Sequence, residues 1–161
     1  MLFQWIVVVL VIAADQFTKH LVETRMHLWQ SVILIKGFLK FTYVRNTGMG
    51  FSFLANDAKL AEYIALIVIA GVITFSFMWK KRNTLFNLSM GLVIGGALSN
   101  NAISRMIFGS VTDFIQLPYW PIFNVADSCV VAGAIGIGLY FLRRDGKSGE
   151  DRIEGYNQRS R

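Results

Sequence analysis

The chain of 161 residues is 54% hydrophobic and only 16% charged, with a net charge of +6 and a single cysteine. Soluble domains carry about a quarter charged residues, so this composition excludes a disordered chain, an acidic tail protein and most nucleic-acid binders. It favours a membrane protein, in which the apolar residues form blocks long enough to cross a bilayer.

Four apolar stretches satisfy that length requirement. A helix needs roughly 20 mainly apolar residues, at about 1.5 Å rise each, to cross about 30 Å of hydrocarbon. The predicted transmembrane helices are residues 2–23, 61–79, 84–107 and 121–142. The first lacks a basic start and runs into Asp15 without a cleavage site, so it is interpreted as a retained span and not as a secretory signal. The last is predicted to begin at Pro121, a favoured first helical position.

The distribution of lysine and arginine predicts the orientation of these spans. Nine basic residues follow spans two and four, whereas five lie between spans one and two. The positive-inside rule therefore places both termini in the cytoplasm. The nine are Lys80, Lys81, Arg82, Arg143, Arg144, Lys147, Arg152, Arg159 and Arg161, and the five are Arg25, Lys36, Lys40, Arg45 and Lys59.

A short outer segment, about 108–120, separates spans three and four. Two other segments outside the predicted spans have an informative composition. Residues 31–54 are dense in Val, Ile, Leu, Phe and Tyr and contain several glycines, which predicts a small extracytoplasmic β-sheet on the membrane surface between spans one and two. Residues 143–161 mix charges with Gly, Ser, Asn and Gln, which predicts a disordered cytoplasmic tail. The fold class is therefore a membrane all-α protein with a single four-span domain, residues 1–142, and a small sheet.

Small residues four positions apart predict close contacts between the spans. Gly91 and Gly95 have this spacing on span three, and Ala132 and Gly136 have it on span four. Such pairs allow helix backbones to approach each other in a membrane. We therefore expect spans three and four to pack tightly.

Polar side chains of the predicted spans gather at one depth. They are Asp15 on span one, Asn100, Asn101 and Arg105 on span three, Asp113 in the short outer segment, and Asn124 and Asp127 on span four. Asp15, for example, lies about 21 Å along its helix, and hence toward the outer leaflet. Ionisable and amide groups in a membrane are costly, so each one requires a partner or a function. Their common depth predicts a functional site at the outer edge of the bilayer.

Two of these groups indicate a type of chemistry. Asp113, on an outer loop, and Asp127, just inside a helix, could share one proton because like-charge repulsion in a poorly solvated site raises one pKa. One carboxylate could then activate water while the other polarises a carbonyl, as in aspartic proteases. Asp113 alone also fits an ordinary loop aspartate. His20 and His27 lack matching ligands, so no metal site is predicted.

The motifs identify a resemblance that covers nearly the whole chain except the tail. The sequence resembles the lipoprotein signal peptidases (signal peptidase II), a family of four-span aspartic proteases of the bacterial inner membrane. The matching pieces are Asp15-Gln16-Phe17-Thr18-Lys19, Arg45-Asn46-Thr47-Gly48-Met49-Gly50-Phe51-Ser52, Asn101 with Arg105, Gly109-Ser110-Val111-Thr112-Asp113-Phe114-Ile115, and Pro121-Ile122-Phe123-Asn124-Val125-Ala126-Asp127-Ser128.

The resemblance implies removal of the signal peptide from lipid-modified prolipoproteins by cleavage before the diacylglyceryl-cysteine, with Asp113 and Asp127 as the catalytic dyad. Residues that would bind the substrate or support the dyad are Asn46, Gly48, Asn101, Arg105, Asn124 and Ala126. Asp15 and Lys19 would support the fold. The implied partners are prolipoproteins and membrane lipids, with no nucleic acid, no metal or organic cofactor, and a monomeric enzyme whose active site lies near the outer leaflet surface.

The sequence departs from the family pattern on span three. Where Gly-Asn-x-Ile-Asp-Arg is usual, this chain has Asn100-Asn101-Ala102-Ile103-Ser104-Arg105, so Ser104 replaces the acidic neighbour of the arginine. Met49 and Gly50 also replace two alanines, and Thr112 replaces a valine. The dyad is intact, which favours a divergent or paralogous member. The loss of a carboxylate is expected to free Arg105 for substrate carbonyls or for Asp113.

Two other functions fit part of the pattern. A small proton or cation transport subunit would also contain intramembrane aspartates, but its polar residues should lie near the midplane and its sequence often contains a repeat. Here the polar residues cluster at one face and no repeat is seen. A non-catalytic paralogue that binds lipoproteins is the third hypothesis.

Overall fold

The computed structural model describes residues 1–47 and 58–159, with side chains in 1–47 and 62–144. The described chain is mostly helical and contains one small sheet. In chain order its elements are α1 (Leu2–Arg25), β1 (Ser31–Ile35), β2 (Leu39–Asn46), α2 (Ala58–Met78), α3 (Thr84–Ala97), a π-helical segment (Leu98–Arg105), α4 (Met106–Phe108), β3 (Val111–Gln116) and α5 (Val125–Arg159).

Helices occupy each of the four ranges that the sequence predicts as spans. By length and hydropathy, α1 and the part of α5 from Val125 to Arg144 could cross a membrane, and Glu62–Met78 is a shorter apolar helix. Many large apolar side chains of these helices point away from the protein: Leu2, Leu10, Phe17, Ile67, Val68, Met78, Ile135 and Leu142. A water-soluble helix bundle would bury most of them, so this surface is typical of helices in contact with lipid.

The core of the bundle lies around α3, which packs between α1 and α5. Phe86, Met90 and Ile94 of α3 are almost fully buried against Val8 of α1 and Tyr140 of α5. At the start of α3 the side chain of Asn83 caps the helix by accepting a hydrogen bond from the backbone N–H of Phe86 at 2.8 Å. The core therefore fixes the middle of the bundle.

Glycines allow these helices to approach closely. A Cβ on Gly91 would lie 2.7 Å from Val7, and one on Gly133 would lie 2.6 Å from the backbone oxygen of Ser89. Gly95 and Gly136 have comparable close contacts with α1 and α3, so the predicted tight packing at these glycines is confirmed. The prediction for Ala132 is wrong: it is exposed, because Gly133, one position further along α5, faces α3.

The sheet has three antiparallel strands in the order β1-β2-β3. The sequence predicts a sheet within 31–54, and β1 and β2 confirm its first part, whereas residues 48–57 lie outside the described residues. β3 is missing from the prediction because polar residues at 112, 113 and 116 interrupt the apolar pattern that indicates a strand. Val22 of α1 packs against Tyr43 and Phe114 and fixes the sheet on the end of the bundle.

The last helix begins later than the sequence predicts. Residues 121–124 lie outside α5, and Phe123 forms an isolated antiparallel bridge with Ile115. The backbone N–H of Phe123 donates to the Ile115 oxygen at 3.0 Å, and that of Ile115 donates back at 2.8 Å. Because these backbone groups pair with β3, Pro121 does not start the helix, and α5 begins at Val125.

The far end of α5 also differs from the sequence-based prediction. The helix continues to Arg159, through the segment for which the composition predicts disorder. No proline interrupts residues 143–159, so no residue there removes a backbone donor from the helix.

Replacing Gly133 by alanine tests the glycine packing. The added Cβ would meet the backbone oxygen of Ser89 at 2.6 Å, and backbone cannot move away as a flexible side chain could. We expect the free energy of unfolding to fall by about 1–3 kcal/mol, measured as thermal or denaturant unfolding in detergent micelles. Gly138→Ala on the same helix is the control, because a Cβ there meets nothing within 4 Å. Equal stability of the two variants would contradict the packing described here.

Candidate active site

Asp113 lies in the middle of β3, not on a loop as the sequence predicts, and is paired in register with Val44 of β2. Its side chain is 4% exposed. Asn46 at the end of β2 donates to its Oδ2 at 2.9 Å, and Asn124 donates to its Oδ1 at 2.7 Å. Burial raises the pKa of Asp113 above its usual 3.8, and the nearby charge of Asp127 raises it further, although the two amide donors act in the opposite direction.

Asp127 belongs to the first turn of α5 and forms a capping box with Asn124. The backbone N–H of Asp127 donates to Asn124 Oδ1 at 2.9 Å, and the backbone N–H of Asn124 donates to Asp127 Oδ2 at 3.2 Å. The start of the helix therefore fixes the position of the second carboxylate.

Asn124 connects the two carboxylates. It is fully buried, its side-chain NH₂ bonds Asp113, and its side-chain oxygen and backbone N–H bond Asp127. Each carboxylate oxygen of the pair accepts an N–H bond, from Asn46, Asn124 or Asn100. Since a carboxylate oxygen can accept two hydrogen bonds, each keeps capacity for water or substrate.

Asn100 also contacts Asp127. By sequence it is among the polar groups predicted at the outer edge of the bilayer, but the resemblance does not assign it to the substrate or the dyad. Its Nδ2 donates to Asp127 Oδ1 at 2.8 Å, and it forms two hydrogen bonds with the side-chain amide of Asn124, at 3.3 and 3.1 Å. The sequence signal is its position beside Asn101 at the outer end of the third apolar stretch. Only the local helix geometry decides which of the two asparagines faces the carboxylates.

Asp15 and Lys19 form a buried ion pair at 2.6 Å, one helical turn apart on α1. Asp15 accepts from the Ser99 hydroxyl at 2.6 Å and from the backbone N–H of Ala126 at 2.9 Å. The Ala126 side chain is itself fully buried. These bonds join α1, the π-helical segment and α5.

Ser104 does not lie beside the guanidinium of Arg105 as the family motif suggests. Its hydroxyl accepts from Lys19 at 3.0 Å and from Gln16 at 3.1 Å, and the side chain is buried. Consecutive residues of a helix point in different directions, so Ser104 faces α1 while Arg105 is half-exposed. Among the residues that the structure describes, Arg105 has no side-chain hydrogen bond or ion pair, as expected if no carboxylate holds it.

The predicted supporting residues differ in what they contact. Asn46 and Asn124 donate hydrogen bonds to the two aspartates, and the backbone N–H of Ala126 donates to Asp15. Asn101 does neither, because its Nδ2 donates to the Ala97 oxygen of its own helix at 3.0 Å. Gly48 lies outside the described residues, and Arg105 makes no contact with the carboxylates.

A polar cavity of about 190 Å³ opens beside the ion pair, between α1 and the sheet. Its lining includes Lys19, Glu23, Arg45, Ser104 and Thr112, and the Thr112 hydroxyl is hydrogen-bonded to Glu23. Among the side chains that the structure describes, in residues 1–47 and 62–144, no group of three or more His, Cys, Asp or Glu could hold a metal ion.

Comparison with known proteins decides the family. The sequence profile described as Signal peptidase (SPase) II matches residues 7–143. The chain belongs to the signal peptidase II family. It is 39% identical over 142 residues to a lipoprotein signal peptidase of Symbiobacterium thermophilum, covering 85% of this chain and 90% of that protein. It is 40% identical over 157 residues to one of Shewanella sp. strain MR-4, covering 92% and 90%.

A solved structure supports the same family at the level of the fold. A bacterial membrane enzyme determined by the in meso method superposes with a TM-score of 0.80 at 30% identity, covering 89% of this chain and 90% of that one. A second such structure gives a TM-score of 0.79 at 31% identity. The fold of a solved bacterial membrane enzyme therefore matches nearly all of this chain.

Replacing Asp15 by asparagine tests the buried ion pair. The change preserves the shape of the side chain but leaves the ammonium of Lys19 buried without its counter-charge. Breaking a buried pair in this way costs about 3–5 kcal/mol, so we expect a large fall in unfolding temperature in detergent. Thr18→Ala on the same turn is the control, because Thr18 bonds only carbonyls of its own helix. A stability loss no larger than that of the control would show that the pair does not hold the helices together.

Proposed function

We propose that this protein is a membrane-embedded aspartic endopeptidase that removes the signal peptide from lipid-modified prolipoproteins by cleavage before the diacylglyceryl-cysteine. Asp113 and Asp127 are its catalytic dyad. The observation that carries the proposal is the direct connection of these two carboxylates through Asn124, in a chain that belongs to the signal peptidase II family.

The hydrogen bonds support a proton-sharing mechanism. The ionised carboxylate accepts a proton from water, whose oxygen attacks the scissile carbonyl carbon, while the protonated carboxylate donates its proton to the carbonyl oxygen. Collapse of the tetrahedral intermediate breaks the C–N bond, and the leaving nitrogen takes a proton from the dyad. The amide donors hold the carboxylates in place during these steps without donating a proton.

We also propose that the protein crosses the bacterial inner membrane four times, with both termini in the cytoplasm. The distribution of side chains on its surface supports this orientation. Trp29, Tyr119 and Trp120 are exposed near the sheet, and such aromatic side chains favour the membrane–water interface. At the other end of the bundle, Lys81, Arg82, Arg143 and Arg144 line one cavity. This separation of aromatic and basic groups matches an active site at the outer leaflet and basic ends in the cytoplasm.

A transport subunit is less well supported than the peptidase. The polar side chains around the dyad lie together at the sheet end of the bundle, whereas a transporter binds its ion near the midplane. The supporting assignments stay as the resemblance implies them: these residues bind the substrate or support the dyad, namely Asn46, Gly48, Asn101, Arg105, Asn124 and Ala126.

Changing either aspartate to asparagine tests the catalytic assignment. Neither Asp113→Asn nor Asp127→Asn leaves a pair that can share a proton, so each variant should lose precursor processing completely. The measurement is a gel-shift assay of a lipidated precursor with purified wild type and variants. Both variants should insert into membranes and accumulate at the wild-type level, which separates loss of chemistry from loss of fold. Processing that survives in either variant would overturn the dyad.

The pH dependence of processing gives a second test. A pair that works with one proton gives a bell-shaped profile of kcat/KM, and its alkaline limb reports loss of that proton. Burial raises the pKa of Asp113 above 3.8, so the pair keeps its proton at a higher pH than an exposed aspartate would. We therefore expect the alkaline limb to lie well above pH 3.8. A rate that already declines as the pH rises past 4 would contradict this.

A further inference from the structure

The side-chain amide of Asn100 bonds three other polar groups of the site at once: Lys19, Asn124 and Asp127. Its Nδ2 donates to Asp127 Oδ1 at 2.8 Å and to Asn124 Oδ1 at 3.3 Å. Its Oδ1 accepts from Lys19 at 2.6 Å and from Asn124 at 3.1 Å. All four hydrogen-bonding positions of the amide are thus in use.

Lys19 determines which way this amide points. An ammonium group can only donate and a carboxylate can only accept, so only one of the two amide orientations satisfies both Lys19 and Asp127. The reverse orientation would direct the NH₂ at the ammonium and the oxygen at the carboxylate. The buried cation therefore controls the donor that reaches the second aspartate, although it makes no contact with that aspartate itself.

Ser104 leaves Lys19 available for this role. The three N–H donors of the lysine go to Asp15, Asn100 and the Ser104 hydroxyl, at 2.6, 2.6 and 3.0 Å. An aspartate at 104 would place a second carboxylate beside the ammonium and compete with Asn100 for it. A glycine at 100 would offer the lysine no acceptor. The residues at 100 and 104 therefore fit each other in this chain.

Resting on the proposed function, we propose that Asn100 is a positioning residue for the catalytic pair, oriented by Lys19. We also propose that the residues at 100 and 104 are coupled through Lys19, because both bond its ammonium. The charged groups around Asp127 are Asp113 from β3 and the Asp15–Lys19 pair from α1. Asn100 acts by holding the carboxylate of Asp127 in position and does not contact the scissile peptide bond.

Comparing Asn100→Ala with Asn101→Ala tests the positioning role. The hydrogen bond from Asn100 holds Asp127 and favours the ionised form of the pair. Asn100→Ala should therefore lower kcat about 10- to 100-fold, change KM little, and move the acidic limb of the pH–rate profile upward by roughly half a unit or more. Asn101→Ala, whose side chain bonds its own helix, should leave the acidic limb in place whatever its effect on substrate binding.

Combining substitutions tests the coupling. Asn100→Gly should lower processing, and Ser104→Asp should lower it by drawing Lys19 away from Asn100. The double variant Asn100→Gly/Ser104→Asp should have higher activity than Asn100→Gly, because the new carboxylate gives the ammonium of Lys19 the partner that it loses with Asn100. Activity of the double variant no higher than that of Asn100→Gly would overturn the coupling.

Two further measurements keep the outcomes distinct. The unfolding temperature of every variant in detergent shows whether a loss of activity follows a loss of fold, and Asn100→Ser provides a small polar replacement if glycine or alanine destabilises the helix. If Asp127→Asn retains processing, the proposed function itself fails. If Asp127→Asn is inactive but Asn100→Ala has the pH profile and kcat of the wild type, only the role of Asn100 is wrong.

Discussion

The hydrogen bonds of the buried Lys19 ammonium are the interactions on which the polar groups of the site depend. We define the polar layer as the buried and half-buried hydrogen-bonded groups at the sheet end of the bundle: Asp15, Lys19, Ser99, Asn100, Ser104, Asp113, Asn124 and Asp127. A buried cation is tolerated only if all its donors are satisfied, and each of the three here bonds a different side chain. Two of these partners, Asn100 and Ser104, lie on the π-helical segment. The charge of Lys19 therefore fixes the position of that segment against α1.

Close helix packing makes such a layer possible with short side chains. Asparagine and serine reach only a few ångströms from their backbones, so they can connect helices only where the backbones nearly touch. Gly96 provides one such contact, since a Cβ there would lie 2.5 Å from the backbone oxygen of Ala126. The same contact brings the start of α5 to Ser99 and Asn100. The π-helical geometry then turns Asn100 toward Asp127 while Asn101 remains bonded to its own helix.

The sequence predicts much of this arrangement because polar residues in an apolar chain are few. Asp113, Asp127 and Asn124 stand out by composition and depth alone, and the helices lie in the predicted ranges. The sequence could not predict which neighbour of an Asn-Asn pair faces the site, because the π-helical segment changes the usual helical periodicity. β3 was also missed, since the polar side chains that make it functional interrupt the strand pattern. Ser104 was assigned to the wrong neighbour because its partners, Gln16 and Lys19, lie on another helix.

The position of the polar layer at one end of the bundle makes bilayer thickness a variable of the reaction. In the proposed orientation, the carboxylates lie where the helices leave the hydrocarbon, so a few ångströms of hydrophobic mismatch change how much water reaches them. Mismatch of this size costs only fractions of a kcal/mol per ångström, so lipids of different chain length can shift the hydration of the dyad without unfolding the protein. With the proposed dyad and orientation, we expect the acyl composition of the membrane to change the access of water, the second reactant, to the carboxylates.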